Sequence, residues 1–355
     1  MKPLTFCLLI AASFPAAPIA AQSLRVVGLD GPPARRGGID ARIGEAVRLG
    51  VRRALPAGTE VTWLRVLPRL KHTDTPPPNE GDPTFSNAVL TGPNHGRWLG
   101  YDTLEYDTIE LQEGEHVSID AHEVVLRAMP AATRRGRVPT PSVEGVGTMW
   151  IGVRATLPDG RVLSTIDGVD RLGLRRGARA PMRVSFRSGD DFAGWLSAFF
   201  DVPFVFGSTP AQVERFLGVD CADVMVAARR RETGRDLAYT SVNGISELAR
   251  ETSDVLLIGA DGVVRREDGT EARLRWGHDL EVGDLVAIDY ASAGDALPRP
   301  WDHIGALLED RGPEGRPDGI LGGDDLVRHM GNRGLTDEAL REHGRIRARI
   351  WRWRR

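Results

Sequence analysis

One segment decides how we expect the C-terminal half of the chain to fold: Gly218-Val219-Asp220-Cys221-Ala222-Asp223-Val224-Met225-Val226-Ala227-Ala228. Asp220 is a preferred N-cap residue, and Asp223 stands three positions later, where a carboxylate can complete a capping box. The apolar run predicts a helix over residues 221–231 that begins at Cys221. Free backbone N–H groups and the helix dipole stabilise a thiolate there, which predicts a pKa below about 8.5. A small inert cysteine on an apolar helix explains the segment equally well.

The chain on either side of this helix divides into helices before it and strands after it. Residues 190–200 and 210–217 have helical composition and spacing. Short apolar runs between turn-forming residues predict strands farther on. These strands cover residues 255–259, 271–276, 285–289, 304–309 and 325–330. Helices followed by a small sheet indicate an α+β domain.

Two histidines occupy places in this sheet where they can meet. Trp301-Asp302-His303-Ile304-Gly305 puts His303 at the start of a predicted strand, with Gly305 allowing close backbone approach. Residues 311–323 are rich in glycine and predict a loop to the strand that contains His329. Antiparallel pairing about residue 316 sets His303 opposite His329. One imidazole can then orient the other.

The C-terminal half resembles the NlpC-type cell-wall endopeptidases, a papain-like family of cysteine hydrolases, over about residues 195–335. Four segments carry the resemblance, in order along the chain: Pro203-Phe204-Val205-Phe206-Gly207-Ser208, Asp220-Cys221, Gly283-Asp284-Leu285-Val286 and Asp302-His303-Ile304-Gly305. The sequence departs from the family at Ala222 and Asp223, where serine and glycine usually stand, and at Phe204, where a tyrosine is common.

The resemblance implies a cysteine hydrolase that acts on an amide, most simply the stem peptide of peptidoglycan. Cys221 would be the nucleophile and His303 the general base, with His329 orienting the base. Asp324 and Asp325 remain open as alternative orienting residues. Such a mechanism needs no metal ion and no organic cofactor.

The N-terminal half, residues 22–185, consists of short apolar runs separated by proline and glycine clusters. Several runs alternate apolar with polar residues, which is typical of half-buried strands. We therefore expect an all-β sandwich there, with an immunoglobulin-like arrangement as one option. We find no catalytic motif in this half, and its histidines lack a metal-ligand spacing: His72, His95, His116 and His122.

The fold class we predict is thus a β-sandwich domain over residues 22–185 followed by an α+β papain-like domain over residues 186–355. A chain of 355 residues accommodates two domains. The formal charge is −3, from 46 basic and 49 acidic residues. No overall positive field attracts nucleic acid, so we expect no nucleic-acid partner.

Residues 1–21 have the pattern of a secretory signal peptide. Lys2 precedes an apolar stretch, and small residues follow at 17–21, where a signal peptidase cuts. We therefore expect an exported protein, periplasmic or extracellular. Removal of the signal leaves Cys221 as the only cysteine, so no intramolecular disulfide can form.

The C-terminal tail, residues 341–355, carries seven arginines together with Trp351 and Trp353. Its alternation of arginine with apolar residues predicts an extended strand or arm. Contact with an anionic envelope polymer or with lipid headgroups is one interpretation. A strand packed into the core is the other.

Two other functions remain open from the sequence. In the first, the papain-like domain is an amidase or acyltransferase that acts on another substrate. The protein can also be a non-catalytic envelope-binding module, in which the β-sandwich binds the ligand and the thiol has no role.

Overall fold

The computed structural model describes residues 24–30, 38–69, 85–90, 93–100, 105–120, 122–128, 145–166, 181–290, 301–332 and 334–355. The predicted signal peptide and His72 lie outside these residues. The described chain is mostly β-sheet and is arranged in several sheets.

The regular elements described up to residue 187 are strands. They are β1 (Val26–Gly28), β2 (Gly38–Arg42), β3 (Val47–Val51), β4 (Glu60–Arg69), β5 (Phe85–Ser86), β6 (Glu105–Glu110), β7 (Val117–Asp120), β8 (Glu123–Leu126), β9 (Gly147–Thr156), β10 (Val162–Ser164) and β11 (Met182–Arg187). One sheet has the order β1-β3-β8-β7, and a second has the order β2-β11-β9-β4-β6, with β10 paired to β9.

These two sheets bury one hydrophobic cluster. Leu49 and Val124 come from the first sheet, and Trp63, Ile151 and Phe186 come from the second. Apolar side chains at alternate positions of the strands fill the space between the two sheets. This explains why apolar and polar residues alternate in the sequence.

The remaining elements begin with helices and end in a sheet, as the sequence predicts. They are α1 (Phe192–Ser197), β12 (Val205–Phe206), α2 (Pro210–Glu214), α3 (Cys221–Thr233), α4 (Val242–Leu248), β13 (Ala249–Glu251), β14 (Leu256–Ile258), β15 (Val264–Arg266), β16 (Leu285–Tyr290), β17 (His303–Glu309), β18 (Leu326–Gly331), β19 (Gly334–Ala339), a 3-10 helix (Leu340–His343) and β20 (Ile346–Trp353). The strand predicted at residues 271–276 is wrong, because that stretch makes only isolated bridges.

The C-terminal strands form one eight-stranded sheet with the order β15-β14-β20-β16-β17-β18-β19, and β13 also pairs with β20. Strand β16 is buried on both faces. Leu285 and Ala287 join the cluster that includes α3, whereas Val286 and Ile288 join a cluster on the other face. This two-sided burial explains the continuous apolar run in its sequence.

The Arg/Trp-rich tail is a core strand. β20 lies between β14 and β16, and Trp351 and Trp353 are buried. Its arginines form ion pairs with neighbouring carboxylates, including Arg347 with Asp289 at 2.8 Å and Arg352 with Asp284 at 2.7 Å. The predicted extended strand is confirmed, but the tail is not a free arm. The apolar edge of the tail packs into the core, and contact of its arginines with an anionic envelope polymer stays a prediction.

The two halves of the chain are in direct contact. The predicted boundary after residue 185 falls inside β11, and Val66 and Trp150 from the second N-terminal sheet join the buried cluster around α1 and α3. Arg65 and Asp201 form an ion pair at 2.9 Å in which both side chains are less than a tenth exposed. The halves therefore share buried surface and are not joined by a bare linker.

Candidate active site

Helix α3 begins at Cys221 and is capped by Asp220, as the sequence predicts. Oδ1 of Asp220 accepts hydrogen bonds from the backbone N–H groups of Ala222 at 3.1 Å and Asp223 at 2.9 Å. This cap fixes Cys221 in the first helical position, with its side chain at the positive end of the helix.

Asp223 does not close the predicted capping box itself. The hydroxyl of Ser208 accepts from the backbone N–H of Asp220 at 3.1 Å and donates to Oδ2 of Asp223 at 2.6 Å. An aspartate side chain is one methylene shorter than the glutamate usual at this position, and the serine hydroxyl bridges the difference. Ser208 thus ties the segment before α2 to the start of α3.

The thiol of Cys221 lies next to the strand that carries His303. α3 packs against β17, and the backbone N–H groups of Ile304 and Ala222 stabilise the thiolate form of Cys221. Cys221 packs against the core cluster but keeps part of its surface exposed.

The pKa of the Cys221 thiol is shifted in the direction opposite to the one that the sequence predicts. Burial raises the pKa of the Cys221 thiol above its ordinary value, and the carboxylate of Asp220 raises it further. The backbone N–H groups act in the opposite direction but are weaker. Burial also raises the pKa of Asp220 and of Asp223. These surroundings favour the neutral thiol of Cys221 over the thiolate.

His303 and His329 are in hydrogen-bond contact. Nε2 of His303 lies 2.8 Å from Nδ1 of His329, and the two rings are nearly perpendicular, at 87°. Strands β17 and β18 are antiparallel, but His329 is paired with Gly305, two residues away from the predicted partner His303. A shift of two residues keeps the side chains on the same face of the sheet, so the contact survives the error in register.

Gly305 permits this close approach. A Cβ atom at residue 305 would lie 2.3 Å from Cγ1 of Val327 and 3.2 Å from Cβ of His329. The absence of a side chain lets β17 and β18 come together between the two imidazoles, as the sequence predicts for this glycine.

The surroundings of His303 favour its neutral form. Burial lowers the pKa of His303 well below its ordinary value, and the neighbouring rings of His329 and His343 lower it further. A neutral imidazole can accept a proton, which is what a general base requires.

Asp324 and Asp325, the alternative orienting residues, have other partners. Asp325 accepts hydrogen bonds from the indole of Trp276 at 3.0 Å and from the backbone N–H of Arg311 at 2.6 Å. Asp324 forms an ion pair with Arg341 at 2.8 Å. Both aspartates hold the loop before β18 in place.

Three residues near the histidines have no counterpart in the sequence-based prediction. Oε2 of Glu338 lies 3.2 Å from Nε2 of His329, and the hydroxyl of Tyr290 lies 3.1 Å from Nδ1 of His343. The ring centroids of His329 and His343 are 4.7 Å apart. The available signal for Glu338 was the hairpin between β18 and β19, which aligns Glu338 diagonally with His329. Nothing local indicates His343 or Tyr290.

Tyr290 contributes a hydroxyl on the same side as these histidines. Its ring centroid lies 5.9 Å from that of His303. Burial raises the pKa of Tyr290, and the nearby Cys221 raises it further. Phe204 is buried in the core.

Comparison of the chain with protein-family models, with curated proteins and with solved structures gives no match. Within the described residues, no helix combines the length and apolar character needed to cross a membrane.

Proposed function

We propose that this protein is an exported cysteine hydrolase of the NlpC type that cleaves an amide bond, most simply in the stem peptides of peptidoglycan. One observation carries the proposal. A cysteine at the start of a capped helix packs beside the strand on which His303 contacts His329 at 2.8 Å. A thiol can act as the nucleophile, a neutral imidazole as the general base, and a second imidazole as the group that orients the base.

In this proposal Cys221 attacks the carbonyl carbon of the amide, and His303 accepts the thiol proton. His303 then gives that proton to the leaving amine, which departs and leaves a thioester on Cys221. A water molecule attacks the thioester while His303 again accepts and returns a proton, releasing the acid and the free thiol. These steps need no metal ion and no organic cofactor.

The raised pKa of Cys221 and the lowered pKa of His303 determine when the proton moves. Both shifts favour the neutral thiol and neutral imidazole over the thiolate–imidazolium pair. In this proposal the proton therefore moves from the thiol to His303 as the sulfur attacks the bound substrate. His329 keeps the His303 ring oriented for both transfers.

The domain organisation belongs to the same proposal. We propose a β-sandwich over residues 22–185, with an immunoglobulin-like arrangement as one option, and a papain-like domain over residues 186–355. We move the boundary between them to the end of β11, because Phe186 is buried in the N-terminal cluster. Helices that precede a sheet and a cysteine helix packed on that sheet support the second assignment. Two sheets around one buried cluster support the first.

A non-catalytic envelope-binding protein is the second candidate. The observation that favours it is the neutral, partly buried thiol, since an inert structural cysteine has the same properties. In that case the N-terminal sheets would bind the ligand.

Digestion of purified peptidoglycan tests the two candidates against each other. The wild-type protein should release new amine ends, and Cys221→Ala and His303→Ala should release none above background. His278→Ala is the matched control, because His278 also contacts a carboxylate, at 2.7 Å, but lies exposed elsewhere. Normal cleavage by Cys221→Ala would refute the mechanism. Binding without cleavage by all four proteins would favour the binding module.

A further inference from the structure

We propose that His329, Glu338 and His343 form a binding site for a divalent transition-metal ion of the zinc class. Each residue offers one ligand atom, and the three atoms lie within 4.8 Å of one another. We call these residues the His-Glu-His cluster. The hydrolase mechanism proposed above uses His329 but assigns no role to Glu338 or His343.

The donor set of the cluster suits zinc. Two imidazoles and one carboxylate are the ligands of many zinc sites that keep a fourth position open for water. Zinc bonds of about 2.0–2.2 Å require the ligand atoms to be closer together than they are without an ion. Glu338 is partly exposed, so its side chain can shift toward the two imidazoles, whereas His329 and His343 each have a ring nitrogen in contact with a neighbouring side chain.

His343 supplies an independent observation. Its Nε2 atom is buried and has no hydrogen-bond partner among the described residues. Its Nδ1 atom contacts the hydroxyl of Tyr290 at 3.1 Å. A metal-bound histidine typically donates its second ring nitrogen to a polar partner, which fixes the ring and its tautomer. Tyr290 occupies that place, and Nε2 remains for the metal.

His329 presents the same arrangement. Its Nδ1 atom contacts Nε2 of His303, so Nε2, which faces Glu338 at 3.2 Å, is the nitrogen that binds the metal. A metal ion on Nε2 leaves the proton of His329 on Nδ1, and that N–H donates to Nε2 of His303. The His-Glu-His cluster is therefore coupled to His303 through one hydrogen bond.

This coupling predicts an inhibitory effect of the metal, a consequence that rests on the proposed hydrolase function. When Nε2 of neutral His303 accepts from His329, the proton of His303 must be on Nδ1. Because Nε2 of His303 is occupied by His329, the proposed mechanism requires Nδ1 to take the proton of Cys221, and a protonated Nδ1 cannot accept it. Metal binding would thus select the tautomer that cannot act as a base.

Metal titration of the full chain, purified without a histidine tag and freed of metal, tests the site directly. Zn²⁺ binding is measured by calorimetry, and Co²⁺ binding by its visible absorbance. We expect one ion per chain. His343→Gln and Glu338→Gln should each weaken binding by about tenfold or more. His278→Ala, the exposed histidine–carboxylate control, and Cys221→Ala should bind as the wild type does.

Unchanged affinity in both His343→Gln and Glu338→Gln, with folding verified by circular dichroism, would overturn the proposal. So would loss of binding in Cys221→Ala, because the thiol would then be a ligand. Zn²⁺ should also inhibit peptidoglycan cleavage by the wild type and inhibit His343→Gln less. A protein that binds Zn²⁺ in this pattern but never cleaves would refute the hydrolase function and leave the metal site standing.

Discussion

Replacement of Gly305 by alanine should separate the two central histidines. The new Cβ atom would lie 2.3 Å from Cγ1 of Val327 and 3.1 Å from the backbone oxygen of Arg328. Valine is stiff at χ1, and the backbone oxygen belongs to a paired strand, so neither can turn aside. Strands β17 and β18 must therefore move apart by about 1 Å to restore ordinary contact distances.

Two effects of this movement can be estimated. Overpacking of a well-packed core costs about 1–3 kcal/mol, so the free energy of unfolding should fall by that amount. In the proposed hydrolase, a displacement of about 1 Å at the His303–His329 pair should reduce the cleavage rate by about a hundredfold. The 2.8 Å contact between Nε2 of His303 and Nδ1 of His329 is the geometry that would be lost.

Urea unfolding and peptidoglycan cleavage measure these two effects, and nitrogen NMR of the histidine rings reports the contact itself. Gly322→Ala is the matched control, because a Cβ atom there meets only the backbone oxygen of Ile320, at 3.9 Å. A Gly305→Ala protein as stable as the wild type would show that β17 and β18 are not held by this close approach. Lost activity with an intact histidine contact would show that the contact does not determine the rate.

Three further predictions follow from burial. The pKa of His303 is lowered in the folded protein, whereas an unfolded histidine takes up a proton near pH 6.5. The free energy of unfolding should therefore fall as the pH drops below about 6.5, by up to about 1.4 kcal/mol per pH unit. His303→Asn should show a smaller dependence on pH, and an equal dependence in both proteins would contradict the lowered pKa. Because the pKa of the Cys221 thiol is raised, iodoacetamide should label Cys221 more slowly than it labels a free cysteine peptide, and the labelling rate should still increase above pH 9. The Asp223→Asn protein should be labelled faster than the wild type. A labelling rate that reaches a plateau below pH 8.5 would instead support a thiolate at Cys221. Because Trp351 is buried in the core, Trp351→Ala should reduce the free energy of unfolding, measured with urea, by about 3–5 kcal/mol. If the variant is as stable as the wild type but binds anionic polymer more weakly, the tail is a surface arm.

Features that depend on neighbouring residues were predictable from the sequence. The cap at Asp220 and the helix that begins at Cys221 follow from a side chain and the backbone two or three residues away. The contact between His303 and His329 was predictable because two strands joined by a loop pair antiparallel, and an error of two residues does not change the face on which a side chain lies.

Features that depend on distant segments were decided by the tertiary structure alone. The helix start at Cys221 favours a thiolate locally, but burial and the Asp220 carboxylate reverse the direction of the pKa shift, and burial is a property of the whole packed core. Glu338 and His343 reach His329 only through the packing of β19 and the 3-10 helix. The tail becomes a central strand because β14 and β16, far apart in sequence, both pair with it. Helix caps, the alternation within strands and the pairing of neighbouring strands depend on contacts between residues close in the sequence, so the sequence predicts them. Desolvation and the clustering of charged groups arise only when remote segments pack together, so the tertiary structure decides them.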